Sequence, residues 1–113
     1  MGNIDEKIKS LIDNTEIIED SFEKYGISII SYSVRVDSDD ENYPDYDLIT
    51  HMELSGKSDE ERVVNYVFYD KNNNVFESSR ARGEIDGYRL IRESFCDNRK
   101  FLLKICKCRI FMT

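Results

Sequence analysis

Gly26 marks a change in the spacing of apolar residues, and this change restricts the chain to a helical segment followed by strands. Over 4–25 the apolar residues recur at alternating steps of four and three, which predicts a helix with one apolar stripe. Asn3 and Glu6 form a capping-box pattern at its start, and Gly26 suits its end. The run 13–15 has low helix propensity, so a break into two short helices stays open. We expect the stripe to pack on the chain's own core rather than form a coiled coil, because it spans only about three heptads.

After Gly26 the apolar residues alternate with polar ones, which is the pattern of half-buried strands. The predicted strands cover 30–36, 48–54, 63–69, 75 onward, 88–95 and 101–111. The first two should each bury one face, formed by Ile30, Tyr32, Val34 and Val36 and by Leu48, Thr50, Met52 and Leu54. The nearly continuous apolar run 63–69 suits a central strand.

Two irregularities are expected within this series of strands. Leu90 and Ile91 are adjacent apolar residues that interrupt the alternation of apolar and polar positions, which predicts a bulge in the strand over 88–95. Residues 70–74 predict a tight hairpin turn, because asparagine tolerates positive φ.

Short strands separated by polar turns predict a mainly β, α+β fold. We expect an antiparallel β-sandwich of six or seven strands with an N-terminal helix. The single Pro44 and the five glycines form no linker, so residues 1–113 are predicted to be one domain. Within it, 1–26 would be a helical segment packed on a sandwich formed by 27–113.

The segment 48–79 resembles the bacterial FxLYD family. The residues that carry the resemblance are Val67, Phe68, Tyr69 and Asp70, then the turn 71–74, then Val75 and Phe76. The preceding strand 48–56 and the closing strand 107–111 are also similar to that family's strands. The resemblance implies a small immunoglobulin-like sandwich that serves as a binding or structural module on bacterial proteins. It implies no catalytic residues.

The charge is unevenly distributed along the chain. The sequence has 23 acidic and 16 basic residues and a net charge of -7, which disfavours a general nucleic-acid binder. Residues 1–61 contain 17 acids and 5 bases, whereas 62–113 contain 6 acids and 11 bases. We therefore expect an acidic and a basic region on the folded surface.

An acidic segment over 37–47 is the predicted partner-binding site. Its candidate residues are Asp37, Asp39, Asp40, Glu41, Tyr43, Asp45, Tyr46 and Asp47. The two tyrosines favour a protein partner, because tyrosine is enriched at interface hot spots. A solvated loop and a cation site are the alternatives. The EF-hand template fails, since its sixth and twelfth positions are Asn42 and Leu48.

The cysteines and the single histidine are expected to be structural. Cys106 and Cys108 fall on one face of the last predicted strand, where we expect two buried core thiols. Cys96 and His51 are the only additional candidate zinc ligands of the cysteine and histidine type, so we predict no metal and no cofactor. His51 falls on the polar face of its strand beside Glu53 without a nucleophile motif, which predicts no catalytic residue.

A group of basic residues follows in the second half of the chain. Its members are Arg80, Arg82, Arg89, Arg92, Arg99, Lys100, Lys104, Lys107 and Arg109. We interpret them as neutralising the acidic helix and the acidic segment. The alternative is a stripe that binds single-stranded nucleic acid between exposed aromatic residues.

These patterns favour a non-enzymatic β-sandwich module for protein–protein interaction, as a monomer or weak homodimer. The alternatives are a small acidic inhibitor or immunity-type protein that binds a basic partner, and a small metal- or ligand-binding protein. No apolar run is long enough for a membrane span and the start lacks signal-peptide features. The chain also has three cysteines, an odd number that does not suit a secreted disulfide scaffold. Together these features predict a cytoplasmic location, although a removed signal peptide would leave the same sequence.

Overall fold

A computed structural model of the chain describes residues 2–38, 45–98 and 104–113. Within these residues the chain forms two helices and seven strands. The helices are α1, Gly2–Asp13, and α2, Glu19–Glu23. The strands are β1, Thr15–Ile17; β2, Ile27–Ser38; β3, Asp45–Lys57; β4, Arg62–Tyr69; β5, Val75–Gly83; β6, Asp86–Asn98; and β7, Lys107–Met112.

The strands form two sheets, as the mainly β prediction required. One sheet has four strands in the order β1-β7-β4-β5, and the other has three in the order β2-β3-β6. Neighbouring strands are antiparallel except β1 and β7, which pair in parallel. Strands β5 and β6 are consecutive in the chain and lie at the edges of different sheets, on opposite layers of the sandwich.

The core lies between the two sheets and is built on aromatic residues of β4. Tyr66 and Phe68 alternate with outward residues, so both point at the opposite sheet and are almost fully buried. There they meet Phe95 of β6 edge to face, with ring centroids 5.8 and 4.8 Å apart. The predicted inward face of β3 is confirmed, since Leu48, Thr50, Met52 and Leu54 are all buried.

The expectation of one helix over 4–25 is wrong, and the alternative of two short helices is correct. Helix α1 ends at Asp13, where two side chains bond to backbone carbonyls of its last turn. Asn14 Nδ2 donates to the Ser10 carbonyl at 2.9 Å, and Thr15 Oγ1 donates to the Leu11 carbonyl at 2.6 Å. The following residues extend as β1 along β7, a strand that the helical spacing concealed. Two stripe residues, Leu11 and Phe22, still reach the core.

Two predicted details of the strands are also wrong. The register between β2 and β3 shifts at Ile30, so its side chain is exposed rather than buried with Tyr32 and Val34. Strand β6, by contrast, pairs with β3 without any shift, so there is no bulge at Leu90 and Ile91. These two apolar residues are adjacent because Ile91 faces the core and Leu90, although apolar, faces solvent. The last strand is shorter than predicted, and 101–103 lie outside the described residues.

The predicted turn between β4 and β5 is confirmed. Asn73 has a φ of 64°, which asparagine tolerates better than most residues. Asp70 closes the turn, because its Oδ1 accepts hydrogen bonds from the backbone N–H groups of Asn72 and Asn74 at 2.9 and 3.0 Å. Strand β4 is a central strand of its sheet, as its continuous apolar run predicted.

Two glycines that pair across β3 and β6 give a matched test of this fold. Gly56 and Gly87 both have positive φ, 129° and 88°. A Cβ at Gly56 would collide with the Gly26 carbonyl oxygen, whereas a Cβ at Gly87 would meet no atom within 4 Å. We expect Gly87→Ala to cost about 1–2 kcal/mol of unfolding free energy from backbone strain. Gly56→Ala should cost about 1–3 kcal/mol more, because overpacking adds to the strain. Urea denaturation measures both, and equal losses would contradict the close approach of Gly26.

Candidate functional site

The acidic segment lies partly outside the described residues. Asp39, Asp40, Glu41 and Tyr43 fall there, whereas Asp37 belongs to β2 and Asp45, Tyr46 and Asp47 belong to β3. The backbone register places Asp37 opposite Asp47 and Ser38 opposite Tyr46. The two flanks of the segment are therefore held side by side, and partner binding at these residues stays a prediction.

The cysteines and the histidine occupy separate places. Cys108 is buried in the core as predicted, and its burial raises the pKa of the thiol to about 12. The prediction of a second buried thiol in the same strand is wrong, because Cys106 comes just before β7 and is half-buried. His51 is half-buried on β3, where its register partners are Ser33 and Arg92. Among the described residues no group of three or more histidine, cysteine, aspartate or glutamate side chains is arranged to hold a metal ion.

An open cavity of about 440 Å³ lies beside the β4–β5 turn. The described residues that line it are Asp70, Lys71, Asn72, Phe76, Lys104 and Cys106. The Asp70 carboxylate is already engaged by two backbone N–H groups, and the Lys104 ammonium lies 5.9 Å from the Phe76 ring centroid. The polar groups of this cavity thus serve the turn and an aromatic contact.

The basic residues are divided among several surfaces. Four of them, Arg80, Arg82, Lys107 and Arg109, lie on strands of the four-stranded sheet, whereas Arg92 lies on the other sheet and Arg99 and Lys100 lie outside the described residues. Glu16 of β1 accepts a hydrogen bond from Arg109 at 3.3 Å and approaches Lys107 Nζ at 3.9 Å. This agrees with the interpretation that some of these bases neutralise the acidic N-terminal segment.

A different surface gathers exposed apolar side chains, on the outer face of the three-stranded sheet. Ile30 of β2 and Tyr88 and Leu90 of β6 are 55%, 55% and 52% exposed. Leu90 is the register partner of Glu53 on β3, and Ser31, next to Ile30, is the register partner of Glu53 on the other side. The bulge at Ile30 turns two consecutive side chains outward, as bulges do. We call Ile30, Glu53, Tyr88 and Leu90 the outer patch.

Glu53 at the centre of the outer patch is fixed by both neighbouring strands. Its Oε1 accepts a hydrogen bond from Ser31 Oγ at 3.0 Å, and its Oε2 accepts one from the Tyr88 hydroxyl at 2.9 Å. The hydrogen bond to the carboxylate raises the pKa of Tyr88 above 10.0, because it favours the neutral phenol. The patch thus presents an oriented carboxylate between exposed apolar groups.

Sequence reasoning missed this patch for identifiable reasons. The alternation at 30–36 predicts that Ile30 is buried, and the adjacent apolar pair Leu90–Ile91 predicts a bulge rather than an exposed Leu90. The available signal was the pair Leu90–Ile91 itself, since adjacent apolar residues in a strand point to opposite faces.

Comparisons with known proteins identify no family for this chain. No protein-family model matches it, and no curated protein matches it. Among solved structures it is similar to cj0090 from Campylobacter jejuni, with 11% identity, coverage of 88% of this chain and 95% of that one, and a TM-score of 0.45. It is also similar to a DUF1425 family member from Shewanella sp. pv-4, with 13% identity, coverage of 78% and 94%, and a TM-score of 0.36. No helix in the described ranges is long and apolar enough to cross a membrane.

The bond between Glu53 and Tyr88 has a measurable consequence. Glu53→Gln should lower the pKa of Tyr88 toward 10.0, because a neutral amide stabilises the neutral phenol less than a carboxylate does. In the unchanged chain this hydrogen bond contributes to the stability of the fold at neutral pH. The contribution is lost as the pH rises through the raised pKa of Tyr88. NMR titration of ¹³C-labelled tyrosine, with the Tyr88 signal assigned from Tyr88→Phe, measures this shift. Glu77→Gln, on the other sheet, is the control, and a Tyr88 pKa unmoved by Glu53→Gln would contradict the geometry.

Proposed function

We propose that the chain is a non-enzymatic module for protein–protein interaction and that it binds its partner through the outer patch. The observation that supports this most is the presence of three half-exposed large apolar side chains on one sheet face, on the two strands that flank β3. Contiguous exposed apolar surface on a folded domain commonly marks an interaction site. The groups that meet there are apolar side chains and a carboxylate already held by two donors, which suits binding better than bond breaking.

The chemistry of the patch indicates what the partner presents. Glu53 keeps free acceptor capacity, since an ionised carboxylate accepts about four hydrogen bonds and Ser31 and Tyr88 donate one each. A lysine or arginine of the partner would form a charge-assisted hydrogen bond there. Tyr88 and Leu90 would supply the surrounding apolar contact. The partner is therefore a protein that presents a basic side chain flanked by apolar ones.

The net charge supports the same partner. A chain with a net charge of -7 attracts a basic protein at long range, which speeds association and suppresses acidic competitors. This retains the alternative of a small acidic inhibitor or immunity-type protein, because such an inhibitor would use the same complementarity.

Three finer parts of the sequence interpretation belong to this proposal. They are the immunoglobulin-like, FxLYD-type identity of the sandwich, the cytoplasmic location and the state of monomer or weak homodimer. The location is supported by the three cysteines, one of which is a buried core thiol rather than part of a disulfide. The identity is supported by the turn after Tyr69, where Asp70 closes the connection between β4 and β5.

Site-specific photocrosslinking tests the proposed surface. A photoreactive amino acid replaces Leu90 in one variant and Val75 in a control, because Val75 is 63% exposed but lies on the edge of the other sheet. We expect the variant at 90 to form a discrete adduct with a protein partner in living cells and the control not to form that adduct. The adduct should be lost when Glu53→Lys is added, since the replacement repels a basic side chain.

The partner identified from that adduct then gives a quantitative test. With both proteins purified, Leu90→Asp and Glu53→Gln should each weaken the Kd by about tenfold or more, whereas Val75→Asp should leave it unchanged. Binding should weaken as salt increases. The same adduct from both crosslinking positions, or equal losses from Leu90→Asp and Val75→Asp, would overturn the assignment.

A further inference from the structure

The edge of β5 has a hydrogen-bonding pattern that can be derived from its neighbours. Val63 of β4 exchanges two backbone hydrogen bonds with Thr113 at the end of β7, at 3.1 and 2.9 Å. A strand residue directs its N–H and C=O to the same side, so both groups of Val63 face away from β5. Its register partner on β5, Arg82, therefore directs its own N–H and C=O away from β4. Because every second residue of a strand has the same orientation, Arg80 and Ser78 also direct their N–H and C=O groups away from β4.

Two contacts independently agree with this direction and limit the open edge. The Arg82 carbonyl accepts a hydrogen bond from Arg89 Nη2 at 3.0 Å, and the Ser78 N–H donates to Glu77 Oε1 at 3.1 Å. Side chains thus occupy the Arg82 carbonyl at one end of this edge and the Ser78 N–H at the other. Between them, the Ser78 carbonyl, both backbone groups of Arg80 and the Arg82 N–H have no partner in the described parts of the chain.

These open groups match one extended antiparallel segment. Its central residue would exchange two hydrogen bonds with Arg80, and the residues two positions away would each make one, with Ser78 and Arg82. The segment spans about five residues, because the contacts from Glu77 and Arg89 stop the ladder on either side.

The side chains along this edge indicate the sequence of that segment. Arg80 and Arg82 are exposed on the outer face, next to the positions where the added strand would direct every second side chain. For Arg82 the closest carboxylate is Glu61 at 4.0 Å with both side chains largely exposed, so this pair is weak. Acidic residues at alternate positions would lie directly beside both guanidinium groups.

We infer that the edge of β5 binds an extended segment of another protein that has acidic residues at alternate positions. Backbone hydrogen bonds to Ser78, Arg80 and Arg82 hold the segment, and the two guanidinium groups select its charge. This site is on the other sheet from the outer patch and requires the opposite charge in its ligand. It goes beyond the proposed function, and either can fail without the other.

A defined peptide tests this inference. The probe is acetyl-Asp-Val-Asp-Val-Ser-amide, whose first, third and fifth residues would lie opposite Arg82, Arg80 and Ser78. Its controls are acetyl-Val-Val-Asp-Asp-Ser-amide, with the same charge but adjacent acids, and the probe N-methylated at its central aspartate. We expect the probe alone to shift the ¹H–¹⁵N NMR signals of residues 78–82 on titration into the intact chain.

Two exposed arginines supply the matched protein variants. Arg80→Glu should weaken binding of the probe at least about tenfold, because it replaces attraction by repulsion, whereas Arg92→Glu on the other sheet should not change it. Equal binding of all three peptides, or equal losses from both variants, would overturn the inference in favour of non-specific charge attraction. Signals of 78–82 that move on dilution of the chain alone would overturn it in favour of a second copy at this edge.

Discussion

Strand β4 determines the rest of the structure, because it is bonded on both edges and buried on one face. Its odd residues, such as Val63, hydrogen-bond to β7, and its even residues hydrogen-bond to β5. The same even residues, Tyr66 and Phe68, point at the opposite sheet and meet Phe95. The alternation of odd and even residues along β4 therefore places β7 on one edge and β5 on the other. It also determines which side chains enter the core and which way the backbone groups of β5 face.

The two candidate surfaces follow from this arrangement. Among the described strands β5 and β6 each pair with a single neighbour, so each has an edge that no described strand covers. On β6 the outward residues Tyr88 and Leu90 lie beside an oriented carboxylate, whereas on β5 the outward residues Arg80 and Arg82 lie beside open backbone groups. A net charge of -7 describes neither surface, because opposite local charges on two sheets contribute to it.

The sequence predicted the parts of the fold that depend on local pattern. The inward face of β3, the central position of β4 and the turn at 70–74 follow from alternation, a continuous apolar run and asparagine chemistry, and all were confirmed. Strand β1 was missed because three residues contain no period, and only pairing with β7 makes them a strand. Tertiary pairing overrides local spacing in such short segments.

The candidate site was less predictable than the fold. Ile30 and Leu90 have the same chemistry whether they are buried or exposed, and only the register with Glu53 shows that they share a face. The clustered charge predicted a binding site in the acidic segment, but composition does not reveal which backbone groups stay unpaired. The open edge of β5 follows from the hydrogen bonds that its neighbour β4 makes on its other side, between Val63 and Thr113.

Native-state amide hydrogen exchange, followed by NMR, tests the central claim that β5 alternates between bonded and open backbone groups. The N–H groups of Ser79 and Ala81, which face β4, should exchange at least about tenfold more slowly than those of Arg80 and Arg82. Equal protection of all four amides, or slower exchange at Arg80 than at Ala81, would contradict the account.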